Sequence, residues 1–191
     1  MAEIKLISLE EKDYRQFFME QEYAFSIARI EEFGPEALPE EPDPHGLELM
    51  RDPKTEAYWI HADGVCSGGV VLSINMETNI NVVELLFIHP DRHSKGIGYA
   101  AWEAIAASHP ETKVWQLMTP YFEKRNIHFY VNKCGFKIVE FFNPRHRGTP
   151  PGKPEGKPPR PEEKPPRPEG KPDDKGPDCA FLFEKQMDIN S

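Results

Sequence analysis

Hydrophobic and polar positions in the first part of the chain predict a strand, a helix and a long loop. Residues 3–9 alternate apolar and polar side chains, which is the period of a half-buried strand. Apolar residues then recur at helical intervals from Tyr14 to Ile30. Residues 34–53 include five prolines, which disfavour regular structure. We therefore expect a loop there, with a short helix at residues 46–51.

The rest of the pattern predicts further strands and helices. Three runs of apolar, β-branched or aromatic residues are separated by polar turns, which is typical of consecutive antiparallel strands; they lie at residues 57–61, 65–74 and 82–89. An alanine-rich segment suits a helix that packs closely against a sheet, and it lies at residues 99–108. A strand, a helix and two more strands are expected at residues 113–118, 121–133, 136–142 and 179–187.

Residues 144–178 cannot belong to a hydrophobic core. They contain twelve of the chain's 20 prolines and no Ala, Val, Ile, Leu, Met, Phe, Trp, Tyr or Cys, although 38% of the whole chain is hydrophobic. A seven-residue repeat of prolines and charges begins at Lys157 and favours a solvated polyproline II conformation. The sequence therefore predicts one domain, residues 1–143 and 178–191, with a flexible insertion at residues 144–177. Either the insertion docks into an aromatic groove of a partner, or it is a loop expansion without a role of its own.

The net charge of the chain limits the kinds of molecule that we expect it to bind. The chain has 23 Lys and Arg against 32 Asp and Glu, a net charge of −9. Nine of the basic and seven of the acidic residues lie in residues 144–178, so the remainder carries a net charge of −11. An acidic surface repels phosphate backbones and favours cationic ligands. Nucleic acid is therefore not an expected partner.

Cysteine spacing and the N-terminus indicate the compartment. Cys66, Cys134 and Cys179 are odd in number and widely spaced, so they predict neither a disulfide framework nor a metal site. The histidines also lack a metal-binding spacing. No segment has the pattern of a signal peptide or the length of a membrane span. We expect a cytoplasmic protein with reduced cysteines, no metal and no membrane partner.

A turn with two glycines, Gly96 and Gly98, joins the apolar strand at residues 82–89 to the alanine-rich helix. The first N–H groups of a helix have no partner within it and carry the positive end of the helix dipole, so a phosphate or pyrophosphate fits there. Three basic residues beside the turn would add positive charge: Arg92, His93 and Lys95. A Gly-x-Gly turn alone is equally compatible with a tight structural turn, so a second motif has to decide.

That second motif lies in the following helix, which contains the pair Phe129-Tyr130 and ends at Gly135-Phe136. Together the two segments resemble the GNAT superfamily of acetyl-CoA-dependent N-acetyltransferases. In that family a Gln/Arg-x-x-Gly-x-Gly/Ala turn after the fourth strand binds the CoA pyrophosphate, and a Phe-Tyr-x-x-x-x-Gly-Phe segment closes the site. The patterns correspond to residues 93–98 and 129–136. The resemblance implies an α/β (α+β) fold with a mixed, mostly antiparallel central sheet of about seven strands and about four flanking helices.

The resemblance also implies a site for acetyl-CoA, as co-substrate, between the strands at residues 82–89 and 113–118. The pantetheine would pair with the main chain near Phe87 and Ile88, and the pyrophosphate would lie on the turn. The implied cofactor-binding residues are Phe87, Ile88, His93, Ser94, Lys95, Gly96, Ile97, Gly98, Tyr99, Asn126, Phe129 and Lys133. His93 departs from the family's Gln or Arg. Because histidine is mostly neutral at pH 7, this departure would weaken CoA binding.

Acyl transfer from a thioester to an amine needs a neutral amine, stabilisation of the oxyanion and protonation of the leaving thiolate. Tyr130 is the candidate general acid near the CoA sulfur, and a purely packing role is the alternative. Glu84 lies among apolar strand residues and is the candidate base. Its alternative is a surface or strand-edge carboxylate, because alternation does not say which face it occupies. The N–H of Phe87 or Ile88 would polarise the thioester carbonyl.

The expected function is N-acetyl transfer from acetyl-CoA to a primary amine of a small molecule or peptide, by direct attack in a ternary complex. The acidic domain favours a cationic acceptor, whose pocket would come from residues 14–53. The alternative is a catalytically weak acyl-CoA-binding regulator or interaction module with a proline-rich docking arm. The sequence leaves open the identity of the acceptor and the choice between a monomer and a homodimer.

Overall fold

The computed structural model describes residues 2–35, 45–93, 95–146, 151 and 179–188. Seven strands are present among them: β1 (Ile4–Ser8), β2 (Thr55–Ala62), β3 (Val65–Ser73), β4 (Ile80–Ile88), β5 (Val114–Pro120), β6 (Lys137–Phe142) and β7 (Ala180–Gln186). They form one sheet in the order β1-β2-β3-β4-β5-β7-β6. Neighbouring strands are antiparallel except for β4 and β5, which are parallel.

Four helices in the described residues flank this sheet: α1 (Tyr14–Phe33), α2 (His45–Leu49), α3 (Ile97–Ser108) and α4 (Lys124–His128). A π-helical turn, Phe129–Lys133, continues α4, and 3₁₀ turns occur at Glu11–Asp13 and Pro90–Arg92. The mixed, mostly antiparallel sheet with four helices confirms the predicted fold class. None of the helices in the described part of the chain combines the length and hydropathy needed to cross a bilayer.

Hydrophobic clusters fix helices to both faces of the sheet. On one face, Trp102 of α3 is fully buried and meets Trp115 of β5 edge to face at 5.8 Å and Phe136 at 4.9 Å between ring centroids. On the other face, Phe17 of α1 is fully buried and packs against Phe87 of β4 at 5.2 Å. Both faces of β4 are therefore covered, so its position between α1 and α3 is fixed.

The sheet opens between β4 and β5. These strands pair only from Ile80 with Val114 to Val83 with Leu117. Just beyond this point the register of β3 and β4 shifts, so that Leu72 pairs with Val83 and the preceding pair joins Val71 to Leu85. Glu84 is the extra residue of this bulge, and a bulge bends the strand that carries it. The remainder of β4 thus diverges from β5 and leaves a gap at their carboxyl ends.

Two of the differences between the predicted and the observed boundaries follow from specific hydrogen bonds. β4 begins earlier than the predicted strand because its polar residue Asn81 has partners when buried: its amide donates to Thr112 Oγ1 at 2.7 Å and accepts from the Asn75 N–H at 2.8 Å. The helix predicted at residues 121–133 begins later, because the Tyr121 N–H continues the pairing of β5 with β7 by donating to the Cys179 carbonyl at 2.8 Å. Burial of a polar residue therefore sets the start of β4, and long-range strand pairing sets the start of the helix.

Most of the predicted insertion lies outside the described residues. β6 ends at Phe142 and β7 begins at Ala180, so residues 144–177 fall between the last two strands in sequence. Residues 36–44, part of the predicted loop and of the predicted acceptor region, also lie outside the described residues. The prediction of one domain with a flexible insertion, and the two hypotheses for the role of that insertion, stay predictions.

Candidate active site

A cavity of about 620 Å³ lies at the carboxyl end of β4, beyond the point where β4 stops pairing with β5. Its walls come from α1, the end of β4, the turn into α3, and α4 with its π-helical continuation. The sequence-predicted residues that line it are Phe87, Ile88, His93, Gly96, Ile97, Gly98, Tyr99, Asn126, Phe129, Tyr130 and Lys133. Glu84 and Lys95 are not in its lining, and Ser94 lies outside the described residues. One cavity therefore brings together the two sequence motifs.

The turn into α3 has the geometry of an anion site. Gly96 precedes α3 with φ of 75°, a left-handed conformation that favours glycine, and its carbonyl accepts the first helical bond from Ala100 at 3.1 Å. The helix begins at Ile97, earlier than the sequence predicts. The N–H groups of Ile97, Gly98 and Tyr99 thus belong to the first turn, where an α-helix supplies no carbonyl partner. Backbone amides and the helix dipole together favour a phosphate group there.

His93 holds an arginine at the same end of the cavity. Arg125 Nη1 lies in hydrogen-bonding distance of His93 Nδ1, and arginine can only donate. His93 Nδ1 is therefore the acceptor, and its Nε2–H donates to the Ile88 carbonyl at 2.7 Å. Burial lowers the pKa of His93, and the Arg125 charge contributes in the same direction, so the imidazole is neutral. The positive charge at this position belongs to Arg125, which lines the cavity.

Lys95, the other predicted cation of the turn, is exposed and folds back on the turn itself. Its Nζ donates to the Asp91 carbonyl at 3.3 Å. Arg92 lines the cavity, but its Nε donates to Ser67 Oγ at 3.3 Å. Arg125 was missed by the sequence analysis because it lies on α4, far along the chain from the turn. Its position directly before Asn126 was the available signal.

The open edge of β4 offers backbone groups to a ligand. The His89 N–H donates to the Ser67 carbonyl on β3 at 2.8 Å, and successive backbone groups of a strand point to opposite edges. The backbone groups of Leu86 and Ile88 therefore face the gap, whereas those of Phe87 face β3. Of the predicted pair Phe87 and Ile88, alternation thus favours Ile88 as the residue that offers its N–H to a ligand.

Tyr130 lies at the inner wall of the cavity, on the π-helical turn. The Cys134 N–H donates to the Phe129 carbonyl at 3.0 Å, five residues back, which is the bond that defines this turn. Tyr130 is 6% exposed and packs edge to face on Phe136 at 5.7 Å. Burial raises the pKa of Tyr130, so its phenol stays protonated at neutral pH. It therefore remains a proton donor across the ordinary assay range.

Two carboxylates, Glu84 and Glu123, differ in their position relative to the cavity. Glu84, at the bulge of β4, accepts a hydrogen bond from Ser73 Oγ at 2.7 Å and does not line the cavity. Glu123 lines the cavity and is 8% exposed, and its Oε2 accepts from Asn126 Nδ2 at 3.1 Å. Burial raises the pKa of Glu123, although Arg29 and Arg125 oppose the shift. Glu123 is not among the residues predicted from the sequence; its place one helical turn before Asn126 was the available signal.

The wall that α1 contributes is partly acidic. Glu31 lines the cavity together with Ala24, Phe25, Ile27 and Ala28 of the same helix. Glu32, the next residue, is instead paired with Lys124 of α4 at 3.0 Å. The cavity is therefore bordered by cations where the turn meets α4 and by carboxylates where α1 approaches Glu123.

The amino-acid sequence of the chain is similar to those of known proteins. The model of the acetyltransferase (GNAT) family matches residues 12–136, which contain the turn, α4 and most of the sheet. The chain is also 48% identical over 137 residues to the uncharacterized protein YrkN of Bacillus subtilis (strain 168). The aligned region covers 71% of this chain and 74% of that protein.

Solved structures share the fold at low sequence identity. The ribosomal-protein-S18-alanine N-acetyltransferase of Escherichia coli is 12% identical with a TM-score of 0.63, covering 100% of this chain and 97% of that chain. The spermidine N-acetyltransferase of Vibrio cholerae, in complex with CoA and spermine, is 14% identical with a TM-score of 0.61, covering 96% and 95%. At these identities the likeness concerns the fold alone.

Proposed function

The chain belongs to the acetyltransferase (GNAT) family, and on this basis we propose that it transfers an acetyl group from acetyl-CoA to a primary amine in a ternary complex. The observation that supports the proposal is the cavity at the carboxyl end of β4, which is lined by the first turn of α3, the end of β4 and the buried Tyr130. Acyl transfer needs an anchor for CoA, donors for the oxyanion and a proton donor, and these three elements can supply them.

Backbone hydrogen bonds and the charge of Arg125 would both hold acetyl-CoA in this cavity. Its pyrophosphate would accept hydrogen bonds from the amides of residues 97–99, with Arg125 beside it. Its pantetheine would run along the open edge of β4, where Leu86 and Ile88 offer backbone groups. In this arrangement the neutral His93 positions Arg125, and the charge that the family's arginine carries at position 93 is supplied from α4.

The chemistry uses groups that border the same cavity. The neutral amine nitrogen attacks the thioester carbonyl carbon, and the Ile88 N–H stabilises the negative charge on the oxygen. When the intermediate collapses, the C–S bond breaks and Tyr130 donates its proton to the thiolate. The proton released by the amine passes to a carboxylate, for which Glu123 and Glu84 are the candidates. Glu123 is favoured because it lines the cavity and its raised pKa suits a base.

A cationic amine is the proposed acceptor class. The carboxylates of Glu31 and Glu123 in the cavity wall would attract an ammonium group. The net charge of −11 outside the proline-rich segment supports the same preference. The Vibrio cholerae enzyme, which shares the fold, holds spermine in its structure. Polyamines, amino sugars and lysine-containing peptides are therefore the first acceptors to test.

The decisive experiment measures binding and turnover separately. Calorimetry with acetyl-CoA reports binding, and release of the CoA thiol in the presence of cationic and neutral amines reports transfer. We expect micromolar binding, and thiol release that is faster with at least one cationic amine than with neutral amines of similar size. Binding without thiol release above background for every amine would instead support a regulator that binds acyl-CoA. Absence of binding would overturn both.

A further inference from the structure

Three potential metal ligands from separate elements meet on the α1 side of the sheet. Glu20 on α1, Cys66 on β3 and His89 just after β4 each contribute one ligand atom within 4.8 Å of the other two. None of the three lines the cavity described above. We propose that Glu20, Cys66 and His89 form a binding site for a divalent transition metal, with Zn²⁺ as the ion that fits best. This site is independent of acetyl transfer.

Hydrogen bonds already orient two of the three ligands, His89 and Glu20. His89 Nε2–H donates to Glu20 Oε2 at 2.7 Å, and the other oxygen of Glu20 accepts from Gln16 Nε2 at 2.8 Å, one helical turn earlier. The His89 N–H donates to the Ser67 carbonyl at 2.8 Å, which holds His89 beside the residue that follows Cys66. Ligand side chains held by such outer hydrogen bonds are characteristic of metal sites in proteins.

The scaffold under the site is rigid. Phe17 of α1 is fully buried and meets Phe87 of β4 within a hydrophobic cluster, and Cys66 packs against the same cluster. Glu20 follows Phe17 by three residues on the same face of α1. The ligands therefore lie on one helix and two paired strands whose relative positions are fixed by core packing, as a preformed site requires.

The ligand set and its spacing suit Zn²⁺. Thiolate sulfur, imidazole nitrogen and carboxylate oxygen are its usual ligands, and tetrahedral bonds of about 2.0–2.3 Å separate ligand atoms by about 3.3–3.8 Å. The present separations need a side-chain adjustment of about 1 Å, in which the His89–Glu20 hydrogen bond gives way to two bonds to the ion. One thiolate and one carboxylate neutralise the two charges of the ion.

The site is accessible and has a free coordination position. The side chains of His89 and Glu20 are 22% and 30% exposed, and Cys66 is half-buried. An ion with three protein ligands keeps a fourth position for water or another ligand. The Cys66 thiol loses its proton to solvent when the metal binds. Spacing along the chain predicted no metal site because the ligands come from three distant elements.

Cobalt substitution gives a direct test on the full, tag-free chain. Co²⁺ bound by a thiolate produces an intense near-ultraviolet charge-transfer band, and tetrahedral Co²⁺ produces visible bands. We expect one Co²⁺ per chain with both signals, and loss of both on addition of Zn²⁺. Cys66→Ser removes the charge-transfer band, and His89→Gln weakens Co²⁺ binding at least about 100-fold. Gln16→Ala, which removes only the orienting hydrogen bond, weakens it about 10-fold.

Two control variants separate this site from adventitious binding. Cys179→Ser and His146→Gln remove a thiol and an imidazole elsewhere in the described chain, and we expect both to bind Co²⁺ like the wild type. Circular dichroism of every variant without metal checks that the fold is retained. The proposal is overturned if the wild type shows no thiolate band, or if Cys66→Ser keeps the band that Cys179→Ser loses. Glu20 and His89 would then form an ion pair only.

Discussion

The two ends of the cavity are built from different parts of the polypeptide. At the turn, the proposed anion site consists of backbone amides in the first turn of α3, and side chains would only supplement it. At the side-chain end, formed by α1, α4 and the π-helical turn, the wall consists of side chains such as Glu31, Glu123 and Tyr130. A backbone site depends on conformation, whereas a side-chain site depends on the identity of each residue.

This difference explains how the chain tolerates an unusual residue in its motif. At the backbone end, His93 replaces the arginine or glutamine of the family pattern, and a cation is still present because Arg125 is held by the imidazole. The other tyrosine in the cavity lining, Tyr99, lies on the first turn of α3, so the side-chain end holds no second phenol among the described residues of the lining. Substitutions at the two ends should therefore affect binding and turnover separately.

The largest effect is expected from Tyr130→Phe at the side-chain end. Loss of the proton donor lowers kcat by about 10²–10³-fold, while the dissociation constant of acetyl-CoA stays close to that of the wild type. Tyr121→Phe is the matched control, since Tyr121 is exposed, packs on Phe141 and Phe181, and does not line the cavity. Steady-state kinetics together with calorimetry distinguish the two. An unchanged kcat in Tyr130→Phe would leave this residue a packing role only.

At the backbone end, Gly96→Val should weaken acetyl-CoA binding by about 100-fold, because displaced amides lose charge-assisted hydrogen bonds worth about 1.5–3 kcal/mol each. Gly64 in the β2–β3 turn is a matched control: its φ is 80° against 75° for Gly96, and a Cβ at either glycine meets no atom within 4 Å. Both substitutions cost about 1–2 kcal/mol of backbone strain. Calorimetry and urea unfolding compare them, and equal acetyl-CoA affinity in the two variants would contradict the anion site.

A smaller effect is expected from Arg125→Met, which removes the supplementary charge. The KM for acetyl-CoA rises about 10-fold, whereas the KM for acetyl-pantetheine, which lacks the pyrophosphate, is unchanged. Lys124→Met is the control, because Lys124 is paired with Glu32 and does not line the cavity. His93→Ala should reproduce the effect, and the double variant should be no worse than Arg125→Met. Additive losses would mean that His93 does not act through Arg125.

The smallest effect concerns pH and stability. The folded chain binds the Glu123 proton more tightly than the unfolded chain, because burial raises its pKa. The stability from this group is fully present below the unfolded pKa of about 4.3 and is lost as pH rises through the folded value. Glu123→Gln should therefore lose less stability than the wild type between about pH 4 and pH 7, as measured by urea unfolding. An equal loss in both proteins would contradict the raised pKa.

The same variant also tests the base. If Glu123 accepts the amine proton, Glu123→Gln lowers kcat/KM and removes its rise with pH, while Glu84→Gln leaves the profile unchanged. The reverse result would assign the role to Glu84. Equal profiles in both variants and the wild type would mean that neither carboxylate limits the reaction, so that a water molecule would suffice as the proton acceptor.

The sequence predicts features that depend on neighbouring residues and misses those that depend on distant ones. Strand periodicity and the Gly96–Gly98 turn are local, so the seven strands and the start of α3 could be predicted within a few residues. The burial of Asn81 depends on Thr112, and the part that His93 plays in holding Arg125 depends on a contact between residues far apart in sequence. Such pairings are fixed by tertiary contacts, which the periodicity of side chains does not encode.

The order of strands also has a consequence for how the chain reaches its folded state. β1 to β4 are neighbours in sheet order as well as in sequence, apart from the helical segment after β1. β7 lies between β5 and β6, so the inner edge of β5 stays unpaired until the last strand has been synthesised. Closing the long stretch between Phe142 and Ala180 costs little extra entropy per added residue. During synthesis the sheet is therefore completed only when β7 inserts between β5 and β6, after every residue that lines the cavity has been synthesised.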